Sequence, residues 1–340
     1  MSDVSIKKPR LPVIDIARGV AILFMAFYHL CWDLWYFGFI GADVGFDPRW
    51  VFFARSILAS FLFLVGVGLV LGHGNGIRWQ SFWRRWLFVA VGALAITLGT
   101  YFTFPDAFVY FGVLHAIALF MLMGLPFLFV PLWAVGLVAL LFIVPHFVFA
   151  DPLFNEKIFS WLGFWVTPPV TNDLVPVFPW FGAVLVGILA TRLAKARVLP
   201  KLAEVQPQGK VPRALGWLGR WSLPFYLIHQ PVLLAAIVPL SMLLGTQDAL
   251  READFLKTCQ ATCETGGTSA EMCTTYCQCG MEGLTRDNLW DPVYSGVLTA
   301  DEQAKLDENN RQCSAVIYPE LLDGDAVPES SSGLDAAPSP

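Results

Sequence analysis

Long apolar segments fill most of the chain between Val13 and Leu244, and short polar segments separate them. A helix that spans a membrane needs roughly 20 mostly apolar residues, and a helix satisfies all of its own backbone hydrogen bonds in lipid. The pattern predicts about seven spans, at 13–37, 50–72, 82–103, 107–126, 131–149, 174–192 and 220–245. The sequence Gly124-Leu125-Pro126 indicates a tight turn between the fourth and fifth spans, and a single kinked segment is the alternative.

The composition agrees with a membrane protein. Of the 340 residues, 56% are hydrophobic and 14% are charged, whereas soluble domains carry about 25% charged residues. The first apolar run is too long for a cleavable signal peptide and no small-residue cleavage site follows it, so we expect it to remain as the first span. The predicted fold class is all-α, a polytopic membrane helix bundle. No nucleic-acid partner is expected.

Charge divides the chain into two parts. From Gln247 onward there are 17 acidic and 5 basic residues, which leaves 10 acidic and 17 basic residues in the membrane part. With the N-terminus on the cytoplasmic side, 13 basic residues fall in cytoplasmic segments and only Arg49 and Lys157 fall in the opposite loops. The excess of Lys and Arg on one side predicts a cytoplasmic N-terminus and a C-terminal tail outside the cytoplasm.

The tail contains six of the seven cysteines, and the seventh, Cys31, lies in the first predicted span. The tail cysteines are Cys259, Cys263, Cys273, Cys277, Cys279 and Cys313. An even, clustered set predicts disulfides in an oxidising compartment, in agreement with the charge pattern, although the sequence does not give the pairing.

The two Cys-x-x-x-Cys pairs in the tail each lie on one helix face. Thr268-x-x-Glu271 resembles a capping box and Gly266-Gly267 a turn, so the pattern predicts two short helices joined by two disulfides. A docking module, a small stapled domain without separate activity, a metal site and thiol redox chemistry are the alternatives. The predicted domains are 1–245 in the membrane, 246–325 as the cysteine-rich tail, and 326–340 as a disordered end.

Ionisable residues inside spans are costly and are therefore candidates for function. Asp15, Arg18, His29 and Asp33 have spacings that place them on roughly one face of the first span. Asp15 and Arg18 can pair at i, i+3. His29 with Asp33 one turn away is the arrangement of a general base, because a carboxylate orients an imidazole and raises its basicity. A histidine that only hydrogen-bonds another helix is the structural alternative.

Arg55, His115 and His229 lie at similar depth in other spans. Arg55 is a fixed cation that can hold a substrate anion or an oxyanion, or a side chain that only reaches toward the interface. His115 lies in the fourth span. Ser222, Tyr226 and His229 share one face of the seventh. We interpret the two remaining histidines as structural: His73 and His146.

Several of these segments resemble the bacterial DUF1624 family, which is similar to the catalytic region of heparan-alpha-glucosaminide N-acetyltransferase within a superfamily of transmembrane acyltransferases. The resemblance covers roughly 10–245 and excludes the tail. The matching segments are 14–19 (IDIARG) with 29–33 (HLCWD), 61–68 (FLFLVGVG), 112–117 (GVLHAI) and 219–231 (GRWSLPFYLIHQP).

The resemblance implies an integral membrane O- or N-acyltransferase of the bacterial inner membrane. It would move an acyl group, expected to be acetyl, from cytoplasmic acyl-CoA to an extracytoplasmic sugar or glycan. In the related acyltransferase-3 branch a histidine at the position of His29 is the expected base, whereas the eukaryotic lysosomal branch has Asn there. No metal is expected, and Arg55 or His115 would stabilise the oxyanion.

Basic residues at the cytoplasmic ends of the spans are candidates for binding the CoA phosphates, although the same charges are needed for topology alone. They are Arg18, Arg78, Arg84 and Arg85. Two other function classes fit the sequence: a transporter or flippase whose polar groups line a path, and a membrane scaffold whose periplasmic tail docks a protein partner.

Overall fold

The computed structural model describes residues 11–296 and 298–318. These residues form helices, short 3-10 turns and loops, with no extended strand in the described part. They make two compact units, one of 11–35 with 42–236 and the other of 36–41 with 237–296 and 298–318. The segment predicted to be disordered, 326–340, lies outside the described residues.

The first eleven helices run from the start of the described chain to Leu244. They are α1 Pro12–Tyr36, α2 Pro48–His73, α3 Trp79–Thr103, α4 Val113–Gly124, α5 Leu132–Ile143, α6 Pro145–Val148, α7 Lys157–Ser160, α8 Val177–Ala194, α9 Leu199–Glu204, α10 Lys210–Arg220 and α11 Ser222–Leu244. The other four are α12 Thr246–Thr265, α13 Ala270–Arg286, α14 Trp290–Ser295 and α15 Ala300–Ile317.

Within the described residues, five helices are long and apolar enough to cross a membrane: α1, α2, α3, α8 and α11. The chain is therefore an all-α, multi-pass membrane protein, as the sequence predicts. The fourth and fifth predicted spans correspond to shorter apolar segments, Val113–Gly124, which is α4, and Leu132–Val148, which contains α5 and α6. A 3-10 turn at Pro126–Leu128 separates them, which confirms the tight turn. The fourth helix begins at Val113, later than the predicted position 107, and 108–112 is not helical.

The core of the first unit lies among α2, α4, α5 and α8. Leu62, Phe120, Phe181 and Val184 are fully buried there, and partly buried aromatic and aliphatic side chains pack around them. A smaller cluster joins α1 to α2. Since lipid chains are as apolar as these side chains, close packing rather than hydrophobic burial holds such helices together.

α1 and α10 approach each other more closely than side chains would allow. A Cβ atom at Gly19 would overlap the backbone of Leu215, and one at Gly219 would overlap the backbone of Asp15. Glycine at both positions lets the two backbones touch. Because α11 begins two residues after α10 ends, this contact also sets the start of α11 beside α1.

Asp173, in the loop before α8, holds the start of α4. Its Oδ2 atom accepts a hydrogen bond from the backbone N–H of Val113 at 2.8 Å, which is favourable at the positive end of a helix. The backbone N–H of Val175 also donates to the carbonyl oxygen of Phe111 at 3.0 Å. Burial raises the pKa of the Asp173 carboxyl to about 6, and the hydrogen bond from Val113 opposes that shift.

The second unit is stapled by disulfides, as predicted. Cys259–Cys277 and Cys263–Cys273 join α12 to α13, and Cys279–Cys313 joins α13 to α15.

The N-cap of the second tail helix lies one residue later than the predicted capping box requires. The N-cap of α13 is Ser269, whose hydroxyl accepts from the backbone N–H of Met272, and not Thr268. The turn at 266–267 is present, with a positive φ of 92° at Gly267.

Removing one disulfide should loosen one helix of the tail selectively. Cys279 and Cys313 are 34 residues apart, and closing a loop of that length contributes about 3–4 kcal/mol. In a Cys279→Ser, Cys313→Ser double variant we expect faster amide hydrogen exchange in α15, with α12 and α13 still protected by their own two bonds. The free cysteine supplies a control, Cys31→Ser. Unchanged exchange in α15 would contradict the assignment.

Ionisation of Asp173 should destabilise the folded chain. Its folded-state pKa of about 6 lies above the value near 3.9 of an unfolded aspartate. The folded state therefore binds more protons between about pH 4 and pH 6, and this contribution to stability is lost as the pH rises through that window. Thermal unfolding in detergent should show the wild type losing stability relative to Asp173→Asn between pH 4 and pH 7. A constant difference would contradict this explanation.

Candidate active site

Two histidines from distant parts of the sequence meet inside the first unit. The imidazole rings of His29 on α1 and His229 on α11 have centroids 5.0 Å apart and are tilted by 58°. Their neighbours are aromatic, since the Tyr28 ring lies 5.7 Å from that of His29 and the Tyr226 ring 5.9 Å from that of His229. Two of the three histidines that the sequence singles out are thus brought together.

His229 has one ring nitrogen held and the other free. Its Nδ1 atom lies 2.8 Å from the carbonyl oxygen of Tyr226. A carbonyl oxygen only accepts, so Nδ1 carries the proton and Nε2 of the neutral ring keeps a lone pair. The Nε2 atom is buried and has no hydrogen-bond partner among the described residues. This arrangement leaves Nε2 able to accept a proton from a bound substrate, as a general base does.

Asp33 lies one turn beyond His29 and is fully buried. Its Oδ1 atom accepts a hydrogen bond from Nε2 of Gln230 at 2.8 Å, so the carboxylate is oriented by α11 and not by the imidazole of His29. The second carboxylate oxygen of Asp33, Oδ2, and the amide oxygen of Gln230, Oε1, are buried without a partner in the described part of the chain. Two acceptors beside the histidine pair therefore lack donors.

His115 is tied into local structure on both sides of its ring. The backbone N–H of Gly112 donates to Nδ1 at 3.2 Å, and Nε2 lies 3.0 Å from the hydroxyl oxygen of Thr97 on α3. That hydroxyl donates to the carbonyl oxygen of Val109, so it is left to accept from Nε2. These contacts favour the structural alternative of a helix–helix hydrogen bond, and a catalytic role for His115 stays a prediction.

Arg55 is exposed on α2. It takes no part in the ion pairs that join described residues. Phe53, two residues earlier, turns toward α1 and lies 5.8 Å from the ring of Phe24. Side chains two apart point in different directions on a helix, so Arg55 does not share the face of α2 that meets α1. Its proposed contact with an oxyanion stays a prediction.

Cationic side chains gather near the start of α1. Arg18 pairs with Asp15 at 3.5 Å, as predicted, and it is close enough to Arg85 on α3 for their charges to repel. Arg78 and Arg85 both act electrostatically on the buried ring of His73. The backbone N–H of Arg78 also donates to Nδ1 of that ring at 3.2 Å. Three cations that have one carboxylate among their neighbours make a site that favours an anion.

Arg84 is exposed on α3, next to Arg85. Of the four predicted phosphate-binding residues, three belong to the group just described and Arg84 lies beside it. Their role as a cofactor site stays a prediction.

The sequence did not single out two residues that shape this region: Gln230, which contacts Asp33, and Asp173, which holds the start of α4. Gln230 is a polar residue within an apolar helix, directly after His229, and that position was a usable signal. The role of Asp173 depends on Val113, 60 residues away, and no local pattern indicates it. Among the described residues, no group of three His, Cys, Asp or Glu side chains is arranged to hold a metal ion.

Comparison with known proteins gives one result that bears on these residues. A search of curated proteins and a search of solved structures returned no match. A family model described as "Heparan-alpha-glucosaminide N-acetyltransferase, catalytic" matches residues 10–231. The match includes His29, Asp33, His229 and Gln230 and ends before the tail. Since it covers well over half of the sequence, the chain belongs to the heparan-alpha-glucosaminide N-acetyltransferase catalytic family, which supports a transmembrane acetyltransferase kind of function.

Proposed function

We propose that this membrane protein transfers an acetyl group from acetyl-CoA to an extracytoplasmic sugar or glycan, with His29 and His229 at the reacting centre. The observation that carries the proposal is the pairing of these two rings at 5.0 Å inside the part of the chain that matches the family. Acetyl transfer needs a base for the acceptor and a donor for the developing oxyanion, and two adjacent imidazoles are able to supply both.

In the proposed reaction, Nε2 of His229 takes the proton from the hydroxyl or amine of the acceptor. The acceptor oxygen or nitrogen then attacks the thioester carbonyl, and a tetrahedral intermediate forms. Its oxyanion accepts a hydrogen bond from the imidazole of His29. The C–S bond breaks as the new C–O or C–N bond is completed, and the proton on His229 passes to the departing thiolate. This assigns the base to His229, whereas the resemblance places it at His29.

A sugar is the acceptor that suits the unpartnered oxygens. Oδ2 of Asp33 and Oε1 of Gln230 accept hydrogen bonds and have no donor among the described residues. A buried acceptor without a donor costs about 1–3 kcal/mol, and the vicinal hydroxyls of a sugar would satisfy both. Asp33 and Gln230 would then position the acceptor for His229 and need not move protons themselves.

The donor would lie along α1. Arg18 and His29 are eleven residues apart, or about 16 Å along a helix axis, so an extended thioester would reach from the cationic group to the histidines. Arg18, Arg78 and Arg85, with Arg84 beside them, would hold the phosphates of CoA by charge-assisted hydrogen bonds.

For this transfer we propose a bacterial inner-membrane location, with the N-terminus cytoplasmic and the tail in the periplasm. The bias of Lys and Arg supports the direction. The three disulfides support an oxidising compartment for the tail. In this arrangement the tail is available for a periplasmic protein partner.

Replacing His229 should stop catalysis without unfolding the protein. We expect His229→Ala to lower kcat for acetyl transfer by about 10²–10⁴-fold, the range for loss of a general base. The assay follows label from acetyl-CoA into a glucosaminide acceptor in detergent. His146, in α6, offers a matched control. Its Nδ1 also lies close to a backbone carbonyl oxygen, that of Gly163, but it does not belong to the pair of His29 and His229. Equal rates for His229→Ala and His146→Ala would sink the assignment.

Arginine variants should weaken donor binding selectively. We expect Arg85→Gln to raise KM for acetyl-CoA by about tenfold or more, since a hydrogen bond between charged groups is worth roughly 1.5–3 kcal/mol. KM for the sugar should be unchanged. Lys157→Gln, which removes an exposed cation above the ring of Phe108, is the control. An unchanged KM for acetyl-CoA in both variants would remove the cationic group from the donor site.

A further inference from the structure

A long groove lies between α1, α2 and α8, away from the histidine pair. Its volume is about 970 Å³. It exists because small side chains form much of its lining on all three helices: Ala17 and Ala21 from α1, Ala59 and Ser60 from α2, and Ala183 from α8. The proposed acetyl transfer does not use it.

The lining is apolar in practice. Ser56 and Ser60 are its only hydroxyl residues, and each hydroxyl donates to a carbonyl oxygen one turn back on α2, at 2.8 Å in both cases. Such back-bonding leaves the donors satisfied. A groove of this kind on membrane-spanning helices takes a hydrocarbon chain and not a polar ligand.

Arg55 borders this groove. Phe52 and Ala59 both line it, and they stand at i−3 and i+4 from Arg55, so the three residues are neighbours on one helix face. Arg55 is the eighth residue of α2, about 10 Å from the start of the helix. A long arginine side chain at that depth reaches toward the headgroups.

We propose that the groove binds the hydrocarbon chain of an anionic phospholipid whose phosphate is held by Arg55. Every lipid offers a chain, and the surrounding bilayer is as apolar as the groove, so the chain alone gives no preference. The guanidinium of Arg55 supplies the preference, because its planar donors match a phosphate. The charge of that phosphate is not offset when the headgroup carries no cation. Phosphatidylglycerol meets this description, and phosphatidylcholine does not.

The test uses the full chain in nanodiscs of equal phosphatidylglycerol and phosphatidylcholine, with the lipids that stay bound after detergent extraction counted by native mass spectrometry. The wild type should retain phosphatidylglycerol preferentially. Arg55→Gln should reduce that preference about fivefold, the effect of one cation near an anionic headgroup. Lys157→Gln, which removes an exposed cation elsewhere, should leave it unchanged.

A second pair of variants separates the chain from the headgroup. Ala59→Phe fills the groove and should reduce retention of both lipids, whereas Ala95→Phe, on an exposed face of α3, should not. Equal retention of the two lipids by the wild type would overturn the proposal, as would the same loss in Arg55→Gln and Lys157→Gln. A dimer that Ala59→Phe dissociates, with lipid retention independent of Arg55, would assign the groove to a second copy of the chain and also overturn it.

Discussion

The contact of α1 with α10 is the constraint on which the candidate site depends. Gly19 and Gly219 let two backbones touch where any Cβ atom would overlap. α11 follows α10 almost directly, so the same contact sets His229 beside α1, within reach of His29. In a membrane, where hydrophobic burial does not drive helices together, a close approach of this kind is an efficient way to fix two helices.

The polar groups of the candidate site are few and incompletely satisfied. Asp33 and Gln230 orient each other, yet each keeps a buried oxygen without a donor among the described residues, and Nε2 of His229 is in the same condition. Unsatisfied buried groups cost free energy, and a membrane interior makes them costlier. These three unpartnered atoms support the proposal that the site receives a ligand that brings hydrogen-bond donors, as an acceptor hydroxyl or amine would.

Hydropathy, charge and the cysteine pattern were sufficient to predict the membrane class, the long spans and a stapled tail. These features depend on residues close in sequence. The shortened fourth helix was not predictable, because its start is set by Asp173 from a later loop. The sequence also did not give the pairing of the tail cysteines, such as the Cys279–Cys313 bond across 34 residues.

In the candidate site, too, the features that are local in sequence were predictable and the contacts between distant helices were not. Periodicity placed His29 and Asp33 on one face of a helix, but the partner of Asp33 is Gln230, 197 residues away. Similar depth in the membrane suggested that His115 belongs with the other two histidines. Its ring nitrogens contact Thr97 and the start of its own helix, and its catalytic role stays a prediction. Depth is readable from a sequence, whereas the direction a side chain takes depends on packing between helices.

The central claim is that His29 and His229 act as one catalytic unit, and a double-mutant cycle tests it most directly. Acetyl transfer would be measured for the wild type, His29→Ala, His229→Ala and the double variant under identical conditions. Residues that act together are strongly non-additive, so the double variant should be no slower than the slower single variant. Losses that multiply, or a single variant that retains the wild-type rate, would contradict the account.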